Sequence, residues 1–236
     1  MSIDLTPPRS FGASTETPHR GQIKSRDRVR ELAEVYTHKR EVDAMLDLVP
    51  DMFPTGENPS NTDRKFLEPA CGSGNFLEEI LLRKLRFVTV RHYGAGERYE
   101  HRILRALASI YAIDISQDNV DESRERLRAV IVAHVDNDMN TKEPTPGLMD
   151  AVDAILATNI LRGDTLSDAG SIRLIDYQAG RSGTFTREWS YLDQSKNEDL
   201  FALLEVSRDE EPVHYSELKL NPWPVVAGAR NLRKRA

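Results

Sequence analysis

The chain is poor in the residues that staple or anchor a protein, and its charges nearly balance. It has one cysteine in 236 residues, Cys71, so a disulfide framework and a cysteine-based zinc cluster are both excluded. No apolar run approaches the roughly 18–20 residues of a membrane span, and no basic-then-apolar leader opens the chain. These absences predict a protein of the reducing cytoplasm with no membrane association. Neither charge is in large excess. The 32 Lys and Arg against 38 Asp and Glu give a formal net charge of −6, so the chain as a whole is no polyanion binder. Residues 198–217 alone carry Glu198, Asp199, Glu205, Asp209, Glu210, Glu211 and Glu217 against Arg208. The remainder is therefore neutral overall and compatible with a local basic groove. What is present is a 39% hydrophobic fraction, 30% charged residues and a mean hydropathy of −0.52. That combination builds a real core under a polar surface. The length predicts one domain with appendages, or two small ones.

Residues 1–24 are rich in Pro, Ser, Thr and Gly and read as a mobile arm, because they bury too little to offset their ordering entropy. From Ser25 apolar residues recur at spacings of three and four: Val29, Leu32, Ala33, then Val42, Met45, Leu46 and Val49. This is an N-terminal helical segment, ended by Pro50, Pro54, Gly56 and Pro59. Lys65 to Glu68 then reads as a short strand, Pro69 to Gly74 as a turn, and Phe76, Leu77, Ile80, Leu81 and Leu85 as a helix face. A helix over 97–109, a strand at 110–113 and a helix capped by Ser116, with Val120, Leu127, Val130 and Ile131 as its stripe, follow. Strand, glycine turn, helix, strand, helix predicts an α/β fold with a largely parallel sheet and a ligand at the carboxyl ends of its strands. Further on, a helix over 149–157, strands at 172–175 and 184–189, and a helix within 200–206 complete the reading. The domain limits are an arm at 1–24, a cofactor-binding domain at 25–190, and a C-terminal extension at 191–236 with an acidic segment and a basic tail.

Chemistry concentrates at Glu68-Pro69-Ala70-Cys71-Gly72-Ser73-Gly74-Asn75-Phe76. Gly72 and Gly74 permit close backbone approach where a strand becomes a helix, and that helix directs free N–H groups over the turn. A phosphate loop is disfavoured, since no Gly-Lys-Ser/Thr follows and Glu68 is acidic. A carboxylate here suits a cation such as a sulfonium or an amino group. Taken without the flanking residues, the two glycines are equally a plain tight turn.

This nonapeptide resembles the S-adenosylmethionine-binding signature of bacterial amino-group (adenine-N6) DNA methyltransferases, the modifying subunits of restriction-modification systems. The resemblance implies a Rossmann-like methyltransferase fold and S-adenosyl-L-methionine as cofactor, held by Glu68, Ala70, Gly72, Gly74 and Phe76. Ile110-Tyr111-Ala112-Ile113-Asp114-Ile115 is similar to the family's second strand. It implies that Asp114 holds the ribose hydroxyls, for which a carboxylate has acceptor capacity, and that Ile115 packs on the adenine. Asn159 to Asp164 is similar to the third motif, with Asp164 at the adenine amino group. Ala33-Glu34-Val35-Tyr36-Thr37 resembles the segment over the methionine end of the cofactor, with His38 where the family has proline. Tyr36 and Thr37 are the implied contacts. Outside the resemblance, Asp114 also reads as a helix-cap acid and Asp164 as an Asx turn.

The family's Asp/Asn/Ser-Pro-Pro-Tyr/Phe tetrad, which accepts hydrogen bonds from the target amine and stacks on the flipped base, does not occur in this sequence. The nearest residues are Asp176 and Tyr177, after the strand at 172–175, and the scrambled Asn221-Pro222-Trp223-Pro224. Asp176 and Tyr177 are the catalytic candidates; no metal ligands are expected. The expected partners are DNA, contacted through the basic arm and tail, and a specificity or catalytic subunit that supplies what is missing. Three functions stay open: an adenine-N6 DNA methyltransferase, a degenerate cofactor-binding subunit, and a methyltransferase acting on a small molecule or protein.

Overall fold

The computed structural model describes residues 37–139, 144–192 and 208–225. Tyr36, the arm at 1–24, the acidic helix within 200–206 and the basic tail lie outside them. The fold is α/β, and the described residues form two three-stranded sheets, one parallel and one antiparallel.

In the parallel sheet β1 (Phe66–Glu68) pairs with β2 (Ile110–Asp114), and β2 pairs with β3 (Ile160–Arg162), in the order β1-β2-β3. Every residue of β2 is buried, as the centre of a parallel sheet covered on both faces requires. The covering helices follow the apolar spacing. On α2 (Asn75–Leu85) Leu77, Ile80, Leu81 and Leu85 are buried. On α4 (Glu97–Ala108) the stripe is Tyr99, Ile103, Leu104 and Leu107. On α5 (Gln117–Met139) it is Val120, Leu127, Ile131 and Val135. The shorter α1 (Lys39–Leu46) and α3 (Val90–Tyr93) flank them, and α6 (Leu148–Asn159) leads into β3.

The strand expected at 172–175 is longer and joins a different sheet. β4 (Arg173–Ala179) pairs antiparallel with β5 (Thr184–Tyr191), and β5 with β6 (Val213–His214). Chain length explains the outcome. A parallel return needs a crossover of a dozen or more residues, whereas only 163–172 separate β3 from β4 and only 180–183 separate β4 from β5. That last connection is a tight turn with positive φ at Ser182 and Gly183. The parallel sheet expected from the sequence is present with three strands, beside a separate antiparallel one, and the limit drawn at residue 190 falls within β5, to which residues 213–214 of the C-terminal extension are paired.

Polar side chains join the two sheets. Asn159 donates to Ala108 O at 3.3 Å and accepts from Ile175 N at 3.1 Å. Lys65, just before β1, reaches Asp176 on β4 at 2.7 Å.

Candidate functional site

The carboxyl ends of β1, β2 and β3 lie side by side, and their loops are tied together through one residue. Asp114 ends β2 and is 8% exposed. Its Oδ2 accepts from Gly72 N at 2.8 Å in the loop after β1. Its Oδ1 accepts from Ser116 N at 2.8 Å and Asn119 Nδ2 at 3.2 Å. Its backbone carbonyl accepts from Gly163 N at 2.9 Å in the loop after β3. Thr165 Oγ1 donates to Pro69 O at 3.3 Å and closes the ring of loops. A carboxylate has about four lone-pair positions; three are filled from within, so Asp114 retains capacity for one further donor.

The two glycines divide their tasks. Both have positive φ, 52° at Gly72 and 89° at Gly74. A Cβ at Gly74 would lie 2.8 Å from Ser123 Oγ and 3.1 Å from Ser123 Cα, so that glycine lets α2 pack on α5. A Cβ at Gly72 would meet nothing within 4 Å. The open space sits above Gly72, where the backbone is accessible to a ligand.

Around this turn Glu68 Oε1 accepts from Ala70 N at 3.1 Å, and Ile115 stands 50% exposed beyond Asp114. Phe76 is partly buried and packs against the core. Thr37 is brought to the start of α2, its carbonyl 3.3 Å from Asn75 Nδ2; Tyr36 lies outside the described residues. Asp164 Oδ1 accepts from Leu166 N at 3.0 Å and Ser167 N at 2.9 Å, an Asx turn, and these backbone donors hold its carboxyl below the usual range. Burial pushes the Cys71 thiol up to about 12, with Asp114 and Glu68 adding to the effect. A thiol so protonated is no nucleophile.

The strand ends and their following loops carry Glu68, Asp114, Asp164 and Asp168 against Arg162. Among the described residues the rim is acidic on the Glu68 and Asp114 side, which attracts a cation; on its far side Arg162, joined by Arg173 of β4, makes the charge mixed. No group of three or more metal-ligating side chains occurs among them.

Asp176 and Tyr177 are not brought to the turn. Asp176 pairs with Lys65, which precedes β1, and lies 3.4 Å from the hydroxyl of Tyr111, the second residue of β2. Both partners mark the amino-terminal side of the strands. Tyr177 is buried at 9% exposure, its hydroxyl 2.8 Å from Thr158 Oγ1 and its ring edge-on to Phe185 at 5.7 Å. The ring expected to receive a base is a core side chain, and burial pushes its hydroxyl up to about 12.

Two residues that the sequence reading passed over complete the site. Asn119 braces Asp114, and Ser123 Oγ donates to Gly72 O at 3.1 Å. Their signal was available: they are polar residues four apart on the face of α5 that also carries Val120 and Leu127, and they are 2% and 0% exposed.

No protein-family model matches the chain, and neither a curated protein nor a solved structure matches it.

Proposed function

We propose that the chain is an S-adenosylmethionine-binding, Rossmann-like methyltransferase domain of the DNA adenine-N6 type, related to restriction-modification. One observation carries the reading: Asp114 ties the glycine turn to the ends of β2 and β3 while the space over Gly72 stays open. When bound, S-adenosylmethionine supplies a methyl group on a sulfonium, open to direct displacement by an amine. The residues fit such a cofactor. Asp114 accepts one ribose hydroxyl with its remaining capacity. Ile115 offers an exposed apolar face to a planar ring. Gly72 admits the ligand to the backbone, and Glu68 contributes negative charge on the side where a sulfonium belongs.

A second reading, a cofactor-binding subunit that depends on a partner for transfer, is favoured by the placement of Asp176 and Tyr177. Asp176 is engaged with Lys65, and Tyr177 is packed in the core. The acidic side of the rim at Glu68 and Asp114 favours a partner in another way, since the described residues there do not draw a DNA phosphate backbone.

Calorimetric titration of the full chain with S-adenosylmethionine, followed by transfer of tritiated methyl to unmethylated genomic DNA, tests both readings. Saturable binding is expected, weakened by about 1 kcal/mol in Ile115→Ala through the lost apolar contact. Binding with transfer supports the active enzyme, and binding without transfer supports the partner-dependent subunit. Absence of binding sinks the cofactor assignment altogether.

A further inference from the structure

A second concavity lies at the far edge of the parallel sheet. It is a cavity of about 430 Å³ walled by Arg162, Asp164, Asp168, Arg173, Trp189 and Trp223, among others. These side chains come from the end of β3, the loop after it, the hairpin, and the segment after β6. Trp189 and Trp223, the only two tryptophans of the chain, stack with centroids 5.4 Å apart and planes 20° from parallel. Trp223 is nevertheless 53% exposed.

An exposed indole on a loose loop would be unremarkable. This loop is pinned on both sides of the ring. The carbonyl of Asn221 accepts from Arg187 Nη1, and Val225 N donates to Asp209 Oδ1 at 2.8 Å. Pro222 and Pro224 flank Trp223 and fix φ on either side. Arg187 and Asp209 form a wholly buried pair, with Nε–Oδ2 at 2.8 Å and Nη2–Oδ1 at 3.0 Å. A buried ion pair is weak as a source of stability relative to apolar packing. Here it is a positioning device that holds a large aromatic face rigid and open beside a cavity.

We propose that this cavity is a nucleotide site. The base stacks on Trp223, a contact every base can make because each presents a π-face. The phosphate meets Arg162 and Arg173, both exposed. The Nε of Arg162 donates to Ile115 O at 3.1 Å, and a guanidinium has further N–H donors to offer. The carboxylates of Asp164 and Asp168 accept from the amino or hydroxyl groups of the ligand. The cavity suits one nucleotide in size, so its source is a free mononucleotide or one unit of a single strand, and not a duplex. The assignment does not depend on the methyl-transfer reading.

Because both tryptophans line the cavity, tryptophan emission of the full chain reports on this site alone. AMP and a short oligodeoxyadenylate are the probes, with S-adenosylmethionine as competitor. A saturable change of emission with AMP is expected. Trp223→Ala should weaken AMP binding roughly 10- to 100-fold, with Trp189 remaining as reporter. Arg173→Ala should narrow the preference for AMP over adenosine. Tighter binding of the oligonucleotide than of AMP identifies a single strand as the source, and the reverse order identifies a free nucleotide. A flat emission with both probes, unchanged affinity in Trp223→Ala, or displacement of AMP by S-adenosylmethionine overturns the proposal; the last result would assign the cavity to the cofactor site.

Discussion

The two sheets are stabilised by different means. Around the parallel sheet the interior is aliphatic, with Leu77, Leu81, Ile103, Leu104, Leu127 and Ile131 fully buried against β2. Its buried polar groups lie at the two strand ends, Asp114, Asn119 and Ser123 at one and Thr62, Lys84 and Ser109 at the other. Around the antiparallel sheet the interior holds polar clamps. The Arg187–Asp209 pair is one. Another, where the two halves meet, is Glu100 of α4, which is fully buried and accepts from Thr145 N at 2.8 Å and from the Tyr215 hydroxyl at 2.7 Å. Aliphatic burial spreads stabilisation over many contacts, so one substitution removes a small share. A buried charge concentrates it, because the partner left behind keeps its desolvation cost.

The largest effect is therefore expected at Asp209. Asp209→Ala strands the guanidinium of Arg187 and leaves the N–H groups of Arg187 and Val225 without their acceptor. A loss of about 3–5 kcal/mol in urea-induced unfolding is expected. The Trp189–Trp223 stack should loosen with it, seen as a change of tryptophan emission. A loss below about 1 kcal/mol would remove the contrast between the two halves.

Next in size is a glycine pair within the parallel half. Gly74→Ala should cost about 2–3 kcal/mol, because left-handed strain of about 1–2 kcal/mol is joined by contact of the new Cβ with the backbone of Ser123 at 3.1 Å. Gly72→Ala carries the strain without the contact and should cost about 1 kcal/mol less. Equal losses in thermal unfolding would mean that packing of α2 on α5 does not require Gly74.

The same contrast governs how much the sequence disclosed. The glycine turn, Asp114 and the helices of the parallel half are legible because each is a contiguous string with a local physical meaning: apolar spacing, a cap, a turn. β4 and β5 are legible as strands, but their sheet is not, since pairing direction depends on connection length across 163–183. The Trp189–Trp223 stack joins residues 34 apart through β6 and an ion pair, and no local pattern announces it. Asp176 and Tyr177 were expected beyond a strand ending at 175, but the strand runs on to Ala179 and includes both. Adjacent residues of a strand point to opposite faces, so the two could not serve one base together. Ile175 and Tyr177 are both buried, while Asp176 pairs with Lys65 at the surface.

A pH experiment addresses the one cation inside the aliphatic half for which burial is complete among the described residues. Lys84 on α2 is fully buried, donates to Thr62 O at 2.9 Å and Arg64 O at 2.5 Å, and lies 5.0 Å from the Phe66 ring centre. Burial pushes its ammonium from 10.5 down to about 7. The unfolded chain then binds more protons than the folded one between those values. Its contribution is complete above 10.5 and is lost as pH falls to about 7. Between pH 7.5 and 8.5 the stability of the wild type should rise by up to about 1.4 kcal/mol relative to Lys84→Met. Parallel pH profiles for the two proteins would show that Lys84 carries a full charge in the fold.

The smallest effect tests the joint between the halves. Lys65 meets Asp176 at 2.7 Å with its own side chain 58% exposed, and exposed pairs are worth about 0–1 kcal/mol and are screened by salt. The joint has apolar contact as well. A Cβ at Gly163 would lie 2.8 Å from Ile172 Cδ1 and 3.2 Å from Ile113 Cγ2, so the start of the hairpin is seated closely on β2 and the β3 loop. Lys65→Ala should accordingly lower stability by less than about 1 kcal/mol, and the difference should vanish at high salt. A loss above about 2 kcal/mol that salt removes would mean that the hairpin is docked by charge. The parallel half would then share the electrostatic character of its neighbour along the Lys65 edge of their contact.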